Sequence, residues 1–170
     1  MTSIKTLLFT GIIYNLLTSA VLMLLVHANP RYMMQDYPPQ ITAHIPPRTR
    51  EEKKAELIYG FPFLFILAGF PLVLEFVGKF SFQQSFLQIG FQIFVLVFSF
   101  NLVDLLILDW LVFCTLTPRF MVLPVTEGNP GYKNYCFHFI SFLKGSLFSV
   151  IASVCFAGLV EVAFFLISIL

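Results

Sequence analysis

Two carboxylates lie inside one of the most apolar stretches of the 170-residue chain, Asp104 and Asp109 in the run Asn101-Leu-Val-Asp-Leu-Leu-Ile-Leu-Asp109-Trp110. Acids at membrane depth are costly, so they face a bundle interior or a wet cavity and have a pairing or functional role. There they can serve as general acid or base, bind a cation, or neutralise a neighbour. At about 100° per residue, Asp104 and Asp109 fall roughly 140° apart on a helix, with Asn101 between them. They do not share one narrow stripe. Either they line a broad inward face, or Asp104 turns inward and Asp109 meets headgroups and water. Trp110 fits an interfacial anchor and favours the second arrangement for Asp109.

Partners for these acids come from further along the chain. Counted in residues from the neighbouring helix ends, Asp109 and Lys144 reach the same level, so an ion pair between them is expected, with Arg119 and His138 nearer the surface. The same side chains also suit a site: Asp104, Asp109 or His138 as acid or base, and Asn101, Arg119, Glu127 and Lys144 as ligand contacts. Asp104 has no obvious level partner. A buried amide or hydroxyl satisfies it, or it holds a proton.

The elements that position these residues follow from composition. Hydrophobic residues make up 58% of the chain, aromatic residues 17% (22 of them Phe) and charged residues 11%, against about 25% charged in a soluble domain. Four apolar runs, about 7–26, 57–77, 86–117 and 137–170, each meet the roughly 20 residues a bilayer core requires. The runs are continuous rather than alternating, which excludes a β-barrel. The expected fold is all-α: a polytopic membrane protein, a four-transmembrane-helix bundle forming one domain, with long third and fourth helices. At helical rise, residues 86–117 reach roughly 48 Å, more than a core about 30 Å thick needs. The third helix must tilt or protrude.

Lys and Arg set the orientation. Arg31, Arg48, Arg50, Lys53, Lys54, Arg119, Lys133 and Lys144 belong to one side, Lys5 and Lys79 to the other. This bias of eight to two places the connections 29–56 and 118–136 in the cytoplasm and both termini outside. The first run reads as a retained anchor rather than a signal peptide, being longer than a typical signal core.

Local signals refine the picture. Pro30, Pro38, Pro39, Pro46 and Pro47 stiffen the first connection. Thr49 and Glu52 have capping-box spacing, so a helix is expected to begin near Arg50 as a charged stub that continues into span two. Gly60-Phe61-Pro62 echoes as Gly69-Phe70-Pro71, and Pro71 is expected to kink the span. Glu75 and Lys79 stand four apart in the order of a helical ion pair at the outer interface, and Glu161 is expected to be interfacial as well. In span four Ser141, Gly145, Ser149, Ser153 and Ala157 recur every four residues, a small-residue ridge of the kind that packs helices in membranes. Its partner is span three, a second copy or another membrane protein.

Other chemistries lack their signatures. Cys114, Cys136 and Cys155 form no CxxC, His27, His44 and His138 form no HExxH, and no phosphate-cradling glycine loop occurs. No cofactor and no metal is expected. Lys plus Arg number 10 against 9 acids, which excludes a basic nucleic-acid binder. No convincing internal repeat or filter-like loop favours a transporter or channel.

The run Asn101 to Trp110, continued through Thr117-Pro-Arg-Phe, Thr126-Glu-Gly, Tyr132-Lys, Phe137-His-Phe and Lys144-Gly, resembles a group of small uncharacterised prokaryotic four-helix integral membrane proteins. The resemblance covers about a quarter of the chain. It implies a bacterial or archaeal plasma membrane and no particular reaction. Three functions remain open. The first is a non-enzymatic accessory, assembly or small-ligand-binding subunit. The second is an interface enzyme acting on a lipid or other amphiphile through Asp104 or Asp109, with Arg119, His138 and Lys144. The third is a proton or small-solute transporter.

Overall fold

The computed structural model describes residues 4–81 and 84–169. Among them the chain is helical without strands, and four helices are long and apolar enough to cross a membrane: Ile4–Ala28, Arg50–Lys79, Phe86–Leu116 and Tyr135–Ile169. The protein is a four-helix multi-pass membrane bundle. The fourth run was expected to extend to Leu170, which lies outside the described residues.

Helix ends form where capping chemistry is available. Thr49 accepts from the Glu52 amide at 3.1 Å while the Glu52 carboxylate accepts from the Thr49 amide at 2.8 Å, so span two starts at Arg50 as a charged stub. Ser85 and Gln88 repeat the motif at the start of span three. Span three ends at Leu116, where Thr117 turns left-handed (φ 45°) before Pro118. There Lys133 Nζ donates to the carbonyls of Cys114 and Thr115 and to the Thr117 hydroxyl. A cation at a helix C-terminus meets both orphan carbonyls and the negative end of the dipole.

Span two carries an irregular turn before Pro71, and the polar group that the proline leaves unpaired is recovered. Pro71 has no amide hydrogen to give the Leu67 carbonyl. The preceding turn, Phe65–Gly69, widens into a π-helix, and the Tyr14 hydroxyl of span one donates to Leu67 O at 2.9 Å. Tyr14 is fully buried, edge-on to Phe100 and tilted against Phe70. In hydrocarbon that carbonyl has no water to turn to, so the hydroxyl is the partner that makes the proline tolerable.

Spans three and four form the closest pair. Gly90 faces Ala157 and the Ser153 carbonyl at 3.7 and 3.8 Å from where its Cβ would stand. Ser149, Ser153 and Ala157 are buried there with Ile89, Ile93 and Val97. The small-residue ridge thus packs on span three within the chain. Its serine hydroxyls bond back to their own helix, Ser149 to Gly145 O and Ser153 to Val150 O.

The two long connections pack on each other beneath the bundle. Arg31 grips Glu52 through two bonds of 2.6 and 3.1 Å, and Arg48 pairs with Glu56 at 2.7 Å. The Tyr37 hydroxyl donates to Met121 O at 2.8 Å, and Ile41, Leu123 and Tyr132 bury against Phe113 and Cys114. Gly131 is required at this contact, because a Cβ would lie 2.9 Å from Ile41 Cγ1.

The expected ion pair at the outer end of span two is replaced. Glu75 does not bond Lys79 at an outer interface. It turns inward, 1% exposed, and its Oε2 meets no hydrogen-bond partner among the described residues. Lys79 instead pairs with Glu161 of span four and lies 5.4 Å over the Phe164 ring. The helical order that favours an i,i+4 pair is outweighed because Lys79 finds a carboxylate across the interface on span four.

Tyr14→Phe is expected to lower stability by about 1 kcal/mol, the order measured for hydrogen bonds inside membrane bundles. Reversible unfolding in mixed micelles would measure it. The same substitution beside Pro71→Ala is expected to cost less, because the restored amide hydrogen then occupies Leu67 O.

Candidate functional site

Span three changes its helical period at the first acid. Residues Phe86–Val103 are α-helical, with Ile89, Ile93, Leu96, Val97 and Phe100 buried, and Asp104–Leu116 form a π-helix. Bonding from i to i+5 gives roughly 4.4 residues per turn, or ~80° per residue. The outward face records the change, with exposed Leu102, Leu106, Ile107, Leu111 and Leu116 spaced more widely than α-helical turns. Five residues at ~80° bring Asp109 to within roughly 40° of Asp104. The two acids therefore share one face, narrower than the broad inward face that α-helical spacing allowed them.

The widening also explains how span three is tied to span four. Asn101 Nδ2 donates to Phe142 O at 3.0 Å and to Ser146 Oγ at 3.1 Å, and Asp109 Oδ1 lies 3.0 Å from His138 Nδ1. His138, Phe142 and Ser146 recur every four residues and form one stripe of span four. Across the eight residues from Asn101 to Asp109, a continuous α-helix would drift about 80° off that stripe. Three α-helical steps followed by five π-helical steps bring Asp109 back to within roughly 20° of Asn101's direction.

These side chains surround a cavity of about 300 Å³. Its walls are Leu22, Met23 and Val26 from span one, Phe63 and Leu67 from span two, and Val97, Phe100, Leu108 and Phe113 from span three. Asn101, Asp104, Asp109, His138, Ser141, Gly145 and Ser149 supply polar or small surface, and Met33, Asp36 and Tyr37 enter from the first connection. Among the described residues, no Lys or Arg lines it. The charge of the site is that of three carboxylates and a histidine.

Each expected site residue has a definite place. Asn101, Asp104, Asp109 and His138 meet in the cavity. Asp109 faces His138 rather than the headgroups, while Trp110 beside it packs edge-on to Tyr135 as an anchor would. The expected Asp109–Lys144 pair is absent, because the π-turns carry Asp109 onto the His138 stripe. Lys144 is exposed on another face of span four and has no ion pair among the described residues. Arg119 and Glu127 are exposed in the second connection and do not line the cavity. Gly145 has a specific reason to be small: a Cβ there would overlap Asn101 Oδ1 and stand 3.0 Å from its Cγ.

His138 is 2% exposed, set edge-on to Phe113 and Phe137, and its Nε2 has no hydrogen-bond partner among the described residues. The Asp109 carboxylate fixes the ring by accepting from Nδ1–H. Asp104 makes no side-chain hydrogen bond among the described residues and presents its carboxyl to the cavity. No three metal-ligating side chains converge closely enough to hold an ion among those residues.

Asp36 is the site residue that the sequence reading missed. It ends the 3-10 turn Pro30–Asp36, pinned by Pro38 and Pro39, and the surface it exposes lines the cavity. That apolar setting pushes its pKa from the ordinary 3.8 up to about 6. The nearby Asp109 charge adds to the rise, while His138 and Arg48 oppose it. The only sequence signal is an acid just before a proline pair, in a connection whose other charges are mostly basic.

The chain matches no protein-family model, no curated protein and no solved structure.

Gly145→Ala is expected to destabilise the bundle by about 1–3 kcal/mol, as overpacking does, and by much less in an Asn101→Ala background. A double-mutant cycle of unfolding free energies measures that coupling. Asp36→Asn is expected to alter pH dependence in a defined direction. The folded Asp36 keeps its proton to about pH 6, whereas the unfolded chain releases it near 3.8, so this group subtracts stability as pH rises between those values. Thermal melts from pH 4 to 8 should show the variant losing less stability over that window, with equal stability near pH 4.

Proposed function

We propose that the protein is a small-ligand-binding subunit of a prokaryotic plasma membrane, and that its ligand is a small apolar cation held in the acid-lined cavity. The observation that carries this reading is the convergence of Asp36, Asp104 and Asp109 on one cavity whose other walls are mostly apolar and, among the described residues, hold no Lys or Arg. Apolar walls with a few converging polar groups are the usual form of a small-molecule site, and about 300 Å³ is at the small end of such sites. Carboxylates that lipid cannot solvate gain most from a ligand of opposite charge. The eight-to-two distribution of Lys and Arg supports placing both long connections in the cytoplasm, with the cavity just above them.

A second reading, acid-base chemistry, has one observation in its favour: Asp109 orients His138 as a carboxylate orients a general base. Its substrate would be neutral or cationic, since Arg119 and Lys144 do not reach the cavity to hold an anionic group.

Benzylamine and benzoate, of similar size and opposite charge at pH 8, separate these ideas from a merely apolar pocket. Titration calorimetry on purified protein is expected to show benzylamine binding, weakened at least tenfold by Asp104→Asn, and no benzoate binding. Equal binding of both, or benzylamine affinity unchanged in Asp104→Asn, would overturn the proposal. Turnover of a bound amine that Asp109→Asn abolishes would favour the second reading.

A further inference from the structure

The cavity is closed at both ends and open at one side. Toward the connections, the Tyr37–Met121 bond and the buried cluster of Ile41, Leu123 and Tyr132 shut it off from water. Toward the other membrane face, Tyr14, Leu96 and Phe100 fill the bundle with Phe70 packed against them. The side wall is different. Beyond its π-turn, span two packs against spans three and four through Phe70–Ser81, whereas its first half, Arg50–Leu64, leans on span one and the first connection. Span four is therefore left without a full partner at the level of the acids. Phe148 registers the gap, being 62% exposed on the outside of the bundle while also lining the cavity, and Ser141, two turns earlier on the same face, does the same. Asp36 stands exposed at the connection end of this opening.

We infer that the cavity opens laterally into the bilayer between the first half of span two and span four, and that its ligand is a single-chain amphiphile with a protonated amine. In this inference, which rests on the cationic-ligand reading above, the ammonium group lies at Asp104 and Asp109 and the alkyl tail runs out past Phe63, Leu67, Ser141 and Phe148. A cavity of about 300 Å³ accommodates a head and the first part of a chain, and the rest of the tail stays in lipid, where it needs no protein wall. Asp36 at the mouth meets the cation first, and the two deeper acids complete its neutralisation. An amine drawn in this way loses no contact with oil along its tail, while its head exchanges interfacial water for carboxylates.

The test uses the full chain in nanodiscs with dodecylamine and benzylamine as probes. Dodecylamine is expected to bind at least tenfold more tightly than benzylamine after correction for partition into protein-free discs. Ser141→Trp, which fills the opening, is expected to remove that advantage. A dodecylamine with a diazirine at the tail end is expected to label Phe63, Leu67 and Phe148 at least fivefold above Phe86, Phe91 and Val154, which line a separate apolar groove on the outer surface. Labelling is expected to fall at least fivefold in Asp104→Asn. Benzylamine binding without any dodecylamine advantage, or labelling no stronger at Phe63 and Phe148 than in the outer groove, would overturn the lateral opening and leave the cationic site standing. Failure of benzylamine itself to bind would overturn the site on which the inference rests. Should Ser141→Trp fail to fold, the labelling comparison in the unmodified protein decides the matter alone.

Discussion

Hydrocarbon offers no hydrogen bonds, so every polar group that enters it must find a partner inside the protein. In this bundle that requirement shapes the backbone itself. Pro71 leaves the Leu67 carbonyl without an amide hydrogen, and a tyrosine from the neighbouring helix supplies the donor. Asn101 and Asp109 each need span four, and the helix that carries them widens to i→i+5 bonding so that both reach the same stripe. Gly145 lacks a side chain because the Asn101 amide occupies the space where one would stand. The irregular turns lie where a polar side chain or a proline must be reconciled with a regular neighbour.

The same constraint builds the cavity. A π-turn spreads the helix and brings residues five apart onto one side, and here it turns Asp104 and Asp109 toward spans one and four together. The π-turn of span two separates two halves with different neighbours, one closing the bundle and the other leaning toward span one. Between them lies a space with acids at its connection end and aromatic walls above. The packed connections close the water side with tyrosine hydroxyls rather than charges, which leaves the acids without a cation of the protein's own.

Much of the architecture was legible before any coordinates. Length and continuity of apolar residues determine four crossings, because lipid permits few alternatives. Thr49 with Glu52 marked a helix start, and Pro71 marked an irregularity that takes the form of a π-turn, since each acts within a few residues of itself. The inward direction of Asp104 followed from the cost of a carboxylate in oil. What escaped the sequence was whatever depends on helical period or on distant packing. The expected Asp109–Lys144 pair assumed a continuous α-helix, and a few π-turns were enough to exchange Lys144 for His138. Glu75 was assigned to its i+4 neighbour, yet Lys79 reaches span four, a contact that no local spacing encodes. Asp36 belongs to the site only because a proline-bound connection folds back under the bundle.

The central claim is that span three changes period at Asp104 and thereby turns both of its acids inward. A nitroxide scan of residues 101–116 in nanodiscs, read by collision with lipid-soluble oxygen, measures that period directly. The account gives accessibility maxima near Leu102, Leu106–Ile107, Leu111 and Leu116, with Asp104 and Asp109 both at minima. An unbroken period of about 3.6 residues, with either acid at an oxygen maximum, would contradict it.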